Sequence, residues 1–253
     1  MLAHSTTIVV PVFNGASNLA SLVPRLRALR DDLDGSKQLE VLFVNDGSAD
    51  ASWSVIEETA NSLPWARGID LASNAGQHAA LLCGALHAES DVVVTLDDDL
   101  HHPPEAVPDL VAALGPDVDL VYGTPRDRGP LGIRRAGSFA ARLALALKAG
   151  SRSGLHSSAF RVFRTELRGR FPELGAGPIN IDSVLYRAGA RVARLDVDHA
   201  AQKLGGSRYT LPSLARAASA VALGPRRSDD RALFTIRART DAQPPTCPDG
   251  RTD

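Results

Sequence analysis

Apolar residues come in short blocks, and their spacing alternates between that of strands and that of helices. Thr7 to Val12 is a β-branched run closed by Pro11 and Asn14-Gly15, the pattern of a buried strand entering a loop. Leu19, Leu22, Val23, Leu26 and Leu29 then recur at helical spacing, and Asp34-Gly35 stops that helix before a second apolar run, Leu39 to Val44. This is a βαβ unit. A helix from about Ser52 carries Val55, Ile56 and Thr59, and a third strand follows at Arg67 to Leu71. A helix over 77–89 leads to a fourth strand, Asp91 to Leu96. Near-continuous apolar strands joined by helices imply an α/β fold of Rossmann-like character, with a mostly parallel central sheet and helices on both faces.

After Asp119-Leu120-Val121-Tyr122-Gly123 the alternation weakens. Gly- and Arg-rich stretches lead to an Ala/Leu-rich helix at 136–149, a short strand at Phe160 to Phe163, a helix over about 180–189 and a strand at 191–198. Leu211 to Leu223 predicts one more apolar helix. That helix is only 13 residues long and contains Arg216, whereas a membrane span needs about 20 apolar residues. From Pro225 the chain is charged and Pro-rich without periodicity, so 225–253 is expected to be a disordered tail. The expected organisation is one domain over 1–224, divided near residue 123 into two halves.

At 253 residues the chain is long enough to bury a sizeable core. Two cysteines, Cys83 and Cys247, are too few for a disulfide framework or a thiolate zinc site. No basic and apolar leader precedes the first strand, so a cytoplasmic setting is expected. The net charge of −1 conceals a contrast: residues 126–170 carry eleven arginines and lysines against Asp127 and Glu166, leaving −10 elsewhere. Such a window suits an anionic partner. It holds only Phe139, Phe160 and Phe163 as aromatics, too few stacking platforms for single-stranded nucleic acid, so no nucleic-acid partner is expected.

Asp97-Asp98-Asp99 follows the fourth strand directly, and open parallel sheets bind ligands at that carboxyl edge. If the segment stays extended, Asp97 and Asp99 face one point and Asp98 faces elsewhere. Two hard oxygen donors suit Mg²⁺ or Mn²⁺, whose shell is completed by phosphate oxygens and water, and His101 could add a nitrogen. Asn45-Asp46-Gly47-Ser48 closes the second strand in the same manner: Gly47 permits a tight turn, Asp46 can accept hydrogen bonds from a base or ribose, and Ser48 or Asp50 could cap the next helix. Neither common glycine-rich phosphate loop occurs, so a metal must substitute for it. Cys83, His78 and His87, on the 77–89 helix, read as structural.

With these residues assembled, the chain resembles the family 2 glycosyltransferases of GT-A fold, in the polyprenyl-phosphate branch that includes dolichol-phosphate mannose synthases. The segments that carry the resemblance are Val10-Pro11-Val12-Phe13-Asn14, Val44-Asn45-Asp46-Gly47-Ser48, Asn74-Ala75-Gly76-Gln77-His78, Leu96 to Glu105 and Gly205-Gly206-Ser207-Arg208-Tyr209. It implies a nucleotide-sugar half over about 1–123 and an acceptor half over about 124–224. It also implies a UDP or GDP sugar donor held by Pro11, Asn14, Asp46, Asp97 and Asp98, and a metal on Asp97, Asp99 and His101. The acceptor is then a polyprenyl phosphate or a glycan. Arg126, Arg128 and Arg208 would face an acceptor phosphate, with peripheral contact at the inner face of the membrane. Catalysis would rest on Asp97, Asp99 and Arg208 in an inverting transfer. A hydroxyl acceptor would need a base, for which Asp182 is the candidate. A third reading is an inactive nucleotide-sugar-binding protein. The family usually carries Asp at position 45, Glu at 15, Gln at 101 and Arg at 202, where this chain has Asn45, Gly15, His101 and Gln202.

Overall fold

The computed structural model describes residues 2–33, 38–125, 158–171, 179–197 and 233–240. The expected βαβ succession is present: β1 (Thr6–Val12), α1 (Ala16–Asp32), β2 (Leu39–Asn45), α2 (Ser52–Ser62), β3 (Ala66–Leu71), α3 (Gln77–His87) and β4 (Val92–Thr95). After β4 come a 3₁₀ turn (Pro104–Ala106), α4 (Val107–Ala112) and β5 (Leu120–Pro125), then β6 (Arg161–Arg164), a 3₁₀ helix (Thr165–Arg170), α5 (Ile181–Arg187), β7 (Val192–Val197) and β8 (Ile236–Arg239). The helices expected at 136–149 and 211–223, together with Arg126, Arg128 and Arg208, lie outside the described residues. Among the described residues no helix is long and apolar enough to cross a membrane.

The eight strands form one sheet in the order β7-β5-β6-β4-β1-β2-β3-β8. β1 pairs in parallel with both β2 and β4, so the strand order reverses at β1, where open α/β sheets place their ligand crevice. β6 runs antiparallel between β4 and β5. Alternation along the strands divides the core in two. Ile8, Val10 and Val12 pack with Val41 and Phe43 against Leu19, Leu22 and Leu26 of α1, whereas Val9, Leu42 and Val44 face Ala80, Leu81 and Cys83 of α3. All seven residues of β1 are buried, which is why its sequence reads as a continuous apolar run.

One finding corrects the sequence expectations. The disordered tail expected from 225 contains β8, which adds antiparallel to β3 and packs Phe234 and Ile236 on the α3 side of the sheet. Its four residues carry two exposed arginines and no long apolar run, so periodicity does not reveal it. The basic window is described only in part: of its eleven basic residues Arg161, Arg164, Arg168 and Arg170 are described, and Arg170 is exposed whereas the other three turn inward. Arg161 is buried against Asp182. Arg164 donates to the carbonyls of Val118 and Gly115 at 3.3 and 3.0 Å. Arg168 donates to Ala85, Leu86 and Ala88, at and just past the carboxyl end of α3. Arg164 and Arg168 thus satisfy backbone carbonyls at the ends of elements, whereas Arg161 pairs with a carboxylate.

At the far edge Asp119, 4% exposed, accepts from the backbone N–H, Nε and Nη2 of Arg191, each at 2.9 Å. The Arg191 hydrogen bonds hold its carboxyl well below the usual range, at about 2. A depressed folded-state value means this contribution is complete above the unfolded value near 4 and disappears as pH falls through about 2. Asp119→Asn is therefore expected to cost about 1–3 kcal/mol in urea unfolding at pH 7 and much less near pH 2, where the wild-type carboxylate is itself being protonated.

Candidate active site at the carboxyl edge of the sheet

A cleft of about 420 Å³ opens over the carboxyl ends of β1, β2 and β4, lined by Pro11, Val12, Phe13, Asp46, Asn74, Gly76, Gln77, Asp97, Asp98 and Asp99. Of the residues expected to bind the nucleotide, Pro11, Asp46, Asp97 and Asp98 meet here, as does Asp99. Phe13 stands out as an apolar ring 48% exposed at the rim.

Asn14 does not line the cleft. It takes a left-handed backbone (φ 49°) and ties two strand ends together. Its N–H donates to Ser48 Oγ, and its Oδ1 accepts from Ala49 N–H, both at 2.9 Å. Ser48 is thus used by the β1 loop and does not cap α2; Asp50 Oδ1 accepts the Ser52 N–H at 3.0 Å. Gly47, at φ 64°, is required twice over, because a side chain there would also press within 2.6 Å of the backbone at Ser73 and Asn74.

Asp46 is almost wholly buried, and its two carboxylate oxygens accept the N–H groups of Ala75 (2.7 Å) and Gly76 (3.0 Å). Desolvation raises its pKa while those two amides pull it back. The carboxylate expected to be free for a ribose or base therefore first organises the β3–α3 loop, whose Asn74 and Gly76 face the cleft. That loop belongs to a quoted motif but had no role on sequence grounds.

The acidic triplet does not stay extended. Asp98 and Asp99 form a turn and Leu100 is left-handed (φ 59°), so Asp98 faces the cleft as well. A side chain at position 15 would collide with Asp98 Oδ2, and Gly15 leaves that space open. Asp97 Oδ1 accepts from Gln77 Nε2 at 2.7 Å. His101 is exposed and turned onto Asp99, with its N–H 3.0 Å from Oδ1 and Nε2 3.5 Å from Oδ2. Among the described residues no three acidic, histidine or cysteine side chains are grouped closely enough to hold a metal alone. The expected three-residue set is therefore corrected: His101 partners Asp99 and is not gathered with Asp97 and Asp99 around one point.

The donor set still fits a divalent cation of the Mg²⁺ or Mn²⁺ kind, which takes one or two protein carboxylates and leaves its other positions to phosphate and water. Burial and the neighbouring Asp99 charge push Asp97 up to about 6, against the opposing pull of Arg161. A cation between these carboxylates would relieve that crowding.

Behind the triplet lies a buried group of charges. Arg161 Nη1 donates to Asp182 Oδ1, and Tyr122 Oη donates to the same oxygen at 2.7 Å. Desolvation and the Asp182 charge raise the tyrosine pKa, and burial followed by Arg161 lowers that of His78. Asp182 is 4% exposed and does not line the cleft, and Asn180 Oδ1 caps α5 by accepting Ser183 N–H. The hydroxyl-activating base expected at Asp182 is, in the structure, the interior partner of an arginine and a tyrosine.

A family model described as glycosyl transferase family 2 matches residues 7–164. Over 210 residues the chain is 30% identical to an undecaprenyl-phosphate 4-deoxy-4-formamido-L-arabinose transferase from Edwardsiella ictaluri, covering 82% of this chain and 64% of that protein. It is 31% identical over 209 residues to the protein of the same name from Pseudomonas fluorescens, covering 82% and 61%. The chain thus spans less than two thirds of the length of these relatives. Among solved structures, glucosyl-3-phosphoglycerate synthase from Mycobacterium tuberculosis, in complex with Mn²⁺, UDP and glucosyl-3-phosphoglycerate, superposes with a TM-score of 0.61 at 19% identity over 87% of this chain and 78% of that one. A mannosyltransferase from Pyrobaculum calidifontis in complex with GDP-Man and Mn²⁺ gives 0.53 at 20% identity, over 80% and 58%. These two likenesses are of fold.

The burial of Asp97 beside the Asp99 charge has a measurable consequence. Its folded-state value of about 6 lies above the unfolded value near 4, so the metal-free protein loses stability as pH rises from about 4 to 6 and carries the full cost above that. Asp97→Asn should raise stability in EDTA at pH 7.5 by about 1–2 kcal/mol, allowing for partial exposure to solvent, and should flatten the profile between pH 4 and 6. Urea unfolding across that range checks it; a destabilised variant would refute the account of a carboxylate raised by burial and by the Asp99 charge.

Proposed function

The chain belongs to glycosyl transferase family 2, and on that premise we propose that it transfers a sugar, with inversion, from a UDP or GDP donor to a polyprenyl phosphate. The observation that carries this reading is the convergence of Asp97, Asp98 and Asp99 with Asp46 in one cleft where the strand order reverses. Support for a lipid-phosphate acceptor comes from the two relatives, both named as undecaprenyl-phosphate transferases. Support for metal and nucleotide comes from the two folds related to this one, which hold Mn²⁺ with UDP or with GDP-Man.

Asp97 and Asp99 would hold the cation, which when bound compensates the charge of the departing nucleotide diphosphate. Gln77 fixes the Asp97 carboxylate, and Asp46 fixes the loop that bears Asn74 and Gly76. Asp98 faces the same space over Gly15, and Phe13 offers an apolar face at the rim. A phosphate acceptor is ionised near neutral pH, so its attack on the anomeric carbon requires no general base. The buried pairing of Asp182 with Arg161 favours this over a hydroxyl acceptor. Arg126, Arg128 and Arg208 are the proposed counter-charges for that phosphate, which would bring the protein to a membrane surface.

Calorimetry and product analysis together test the proposal. UDP or GDP should bind in Mn²⁺ at least about tenfold more tightly than in EDTA, and Asp99→Ala should remove that difference. Arg208→Ala should retain nucleotide binding and lose transfer to undecaprenyl phosphate. Metal-independent nucleotide affinity, or product formed only on hydroxyl acceptors, would overturn the reading; binding without turnover on any acceptor would favour an inactive nucleotide-sugar-binding protein.

A further inference from the structure

The β3–α3 loop that lines the cleft is held from both ends. Asp46 holds Ala75 and Gly76 from the β2 side. At the other end, Ala72 N–H donates to Thr235 O at 2.8 Å, and Arg237 Nη2 donates to Ala72 O at 2.6 Å. Both partners come from the segment Leu233–Thr240, which carries β8. Arg237 Nη1 also lies 3.3 Å from Asp70 Oδ2, and Asp70, 1% exposed, accepts Asn45 Nδ2 on its other oxygen at 2.7 Å. Arg237 thus bridges the ends of β2 and β3 to the start of the loop.

The β8 backbone is shaped for that bridge. Asp70 pairs with Ala238 and Leu71 with Ile236, leaving Arg237 as the extra residue of a β-bulge. A bulge re-aims the side chain of its unpaired residue, and bulges are enriched beside active sites. The carboxyl end of the segment is secured by Thr240, whose Oγ1 accepts Gly68 N–H at 2.8 Å, and by Arg239, whose Nη2 lies 2.7 Å from His87 Nε2.

We infer that Leu233–Thr240 is a clasp on the nucleotide side of the cleft, and that Arg237 is a positioning residue for donor binding, acting through Ala72 and the Asp70–Asn45 pair on the loop that carries Asn74 and Gly76. Arg237 touches no cleft atom itself. Its effect lies in keeping the loop ordered before the nucleotide arrives, so that ordering is not charged against binding. This inference rests on the glycosyltransferase reading for the identity of the ligand, but not for the order of the loop.

The test uses the full chain as Arg237→Ala, Arg237→Lys and Asp70→Asn. With UDP or GDP and Mn²⁺ as probes, Arg237→Ala should raise the dissociation constant by about fivefold or more, and Asp70→Asn should add little on top of it. Arg237→Lys should recover part of the affinity, since one ammonium cannot reproduce both guanidinium contacts. With donor saturating, turnover should be unchanged, so the loss falls in KM for donor. Independently of any ligand, amide exchange over residues 72–76 should accelerate in Arg237→Ala while exchange in β1 and β4 stays at the wild-type rate. Wild-type affinity in Arg237→Ala together with unchanged exchange over 72–76 would overturn the clasp. If the wild type binds neither nucleotide, the glycosyltransferase reading fails, and the exchange measurement alone decides the clasp: faster exchange over 72–76 upholds it, and unchanged exchange refutes it.

Discussion

Four carboxylates, Asp46, Asp97, Asp98 and Asp99, face one cleft whose described lining contains no basic side chain. Everything around the cleft can be understood as a response to that concentration of like charge. Part of the response is neutral donors: two backbone N–H groups serve Asp46, and the Gln77 side-chain amide donates to Asp97. Part is distant charge, since Arg161 lies behind the triplet and moderates Asp97 without lining the cleft. What remains is an electrostatic deficit that a divalent cation would fill, and a ligand that brings phosphate oxygens to that cation completes its shell. A divalent cation placed there would offset the cost that burial and the Asp99 charge impose on Asp97.

The same economy governs the arginines. A window dense in basic residues suggests a surface waiting for an anion, but at Arg161, Arg164 and Arg168 the guanidinium groups are directed inward to Asp182, to Val118 and Gly115, and to the carbonyls near the end of α3. Five donors in a rigid fork can satisfy several buried acceptors at once, which a lysine cannot do. At these three positions the charge counted in the sequence is used inside the domain and is not available to a partner.

The strands and helices of the first half were legible because each buries a full face, and burial imposes periodicity. β1 is apolar throughout, and α1 presents Leu19, Leu22, Leu26 and Leu29 to the core at helical spacing. β8 was not legible: it is four residues long, half exposed, and owes its place to pairing with β3 and to Arg237 rather than to an apolar run. The acidic triplet was legible as a site because its position after β4 follows from the sheet alone. The facing of Asp98 was not, since it depends on a turn at Asp98-Asp99 and on a left-handed Leu100 that carries no glycine signal. Asp182 illustrates the same limit, because only its neighbours Arg161 and Tyr122 distinguish an interior ion pair from an accessible base.

Two departures from the residues usual in this family follow from one rule of charge. Gly15 stands where Glu is common, and the space a side chain would need there is occupied by Asp98 Oδ2. A glutamate would have to displace Asp98 and would bring a further acid to a crowded edge. Asn45 stands where Asp is common, and its amide donates to the buried Asp70 at 2.7 Å. An aspartate in that orientation would set two carboxylates against each other away from water, which would force one to take up a proton. Asn45 turns that repulsion into a hydrogen bond, and Arg237 supplies the remaining counter-charge to Asp70 from outside. At position 15 Asp98 has taken the space, and at position 45 an aspartate would face the buried Asp70, so both substitutions avoid setting one carboxylate against another.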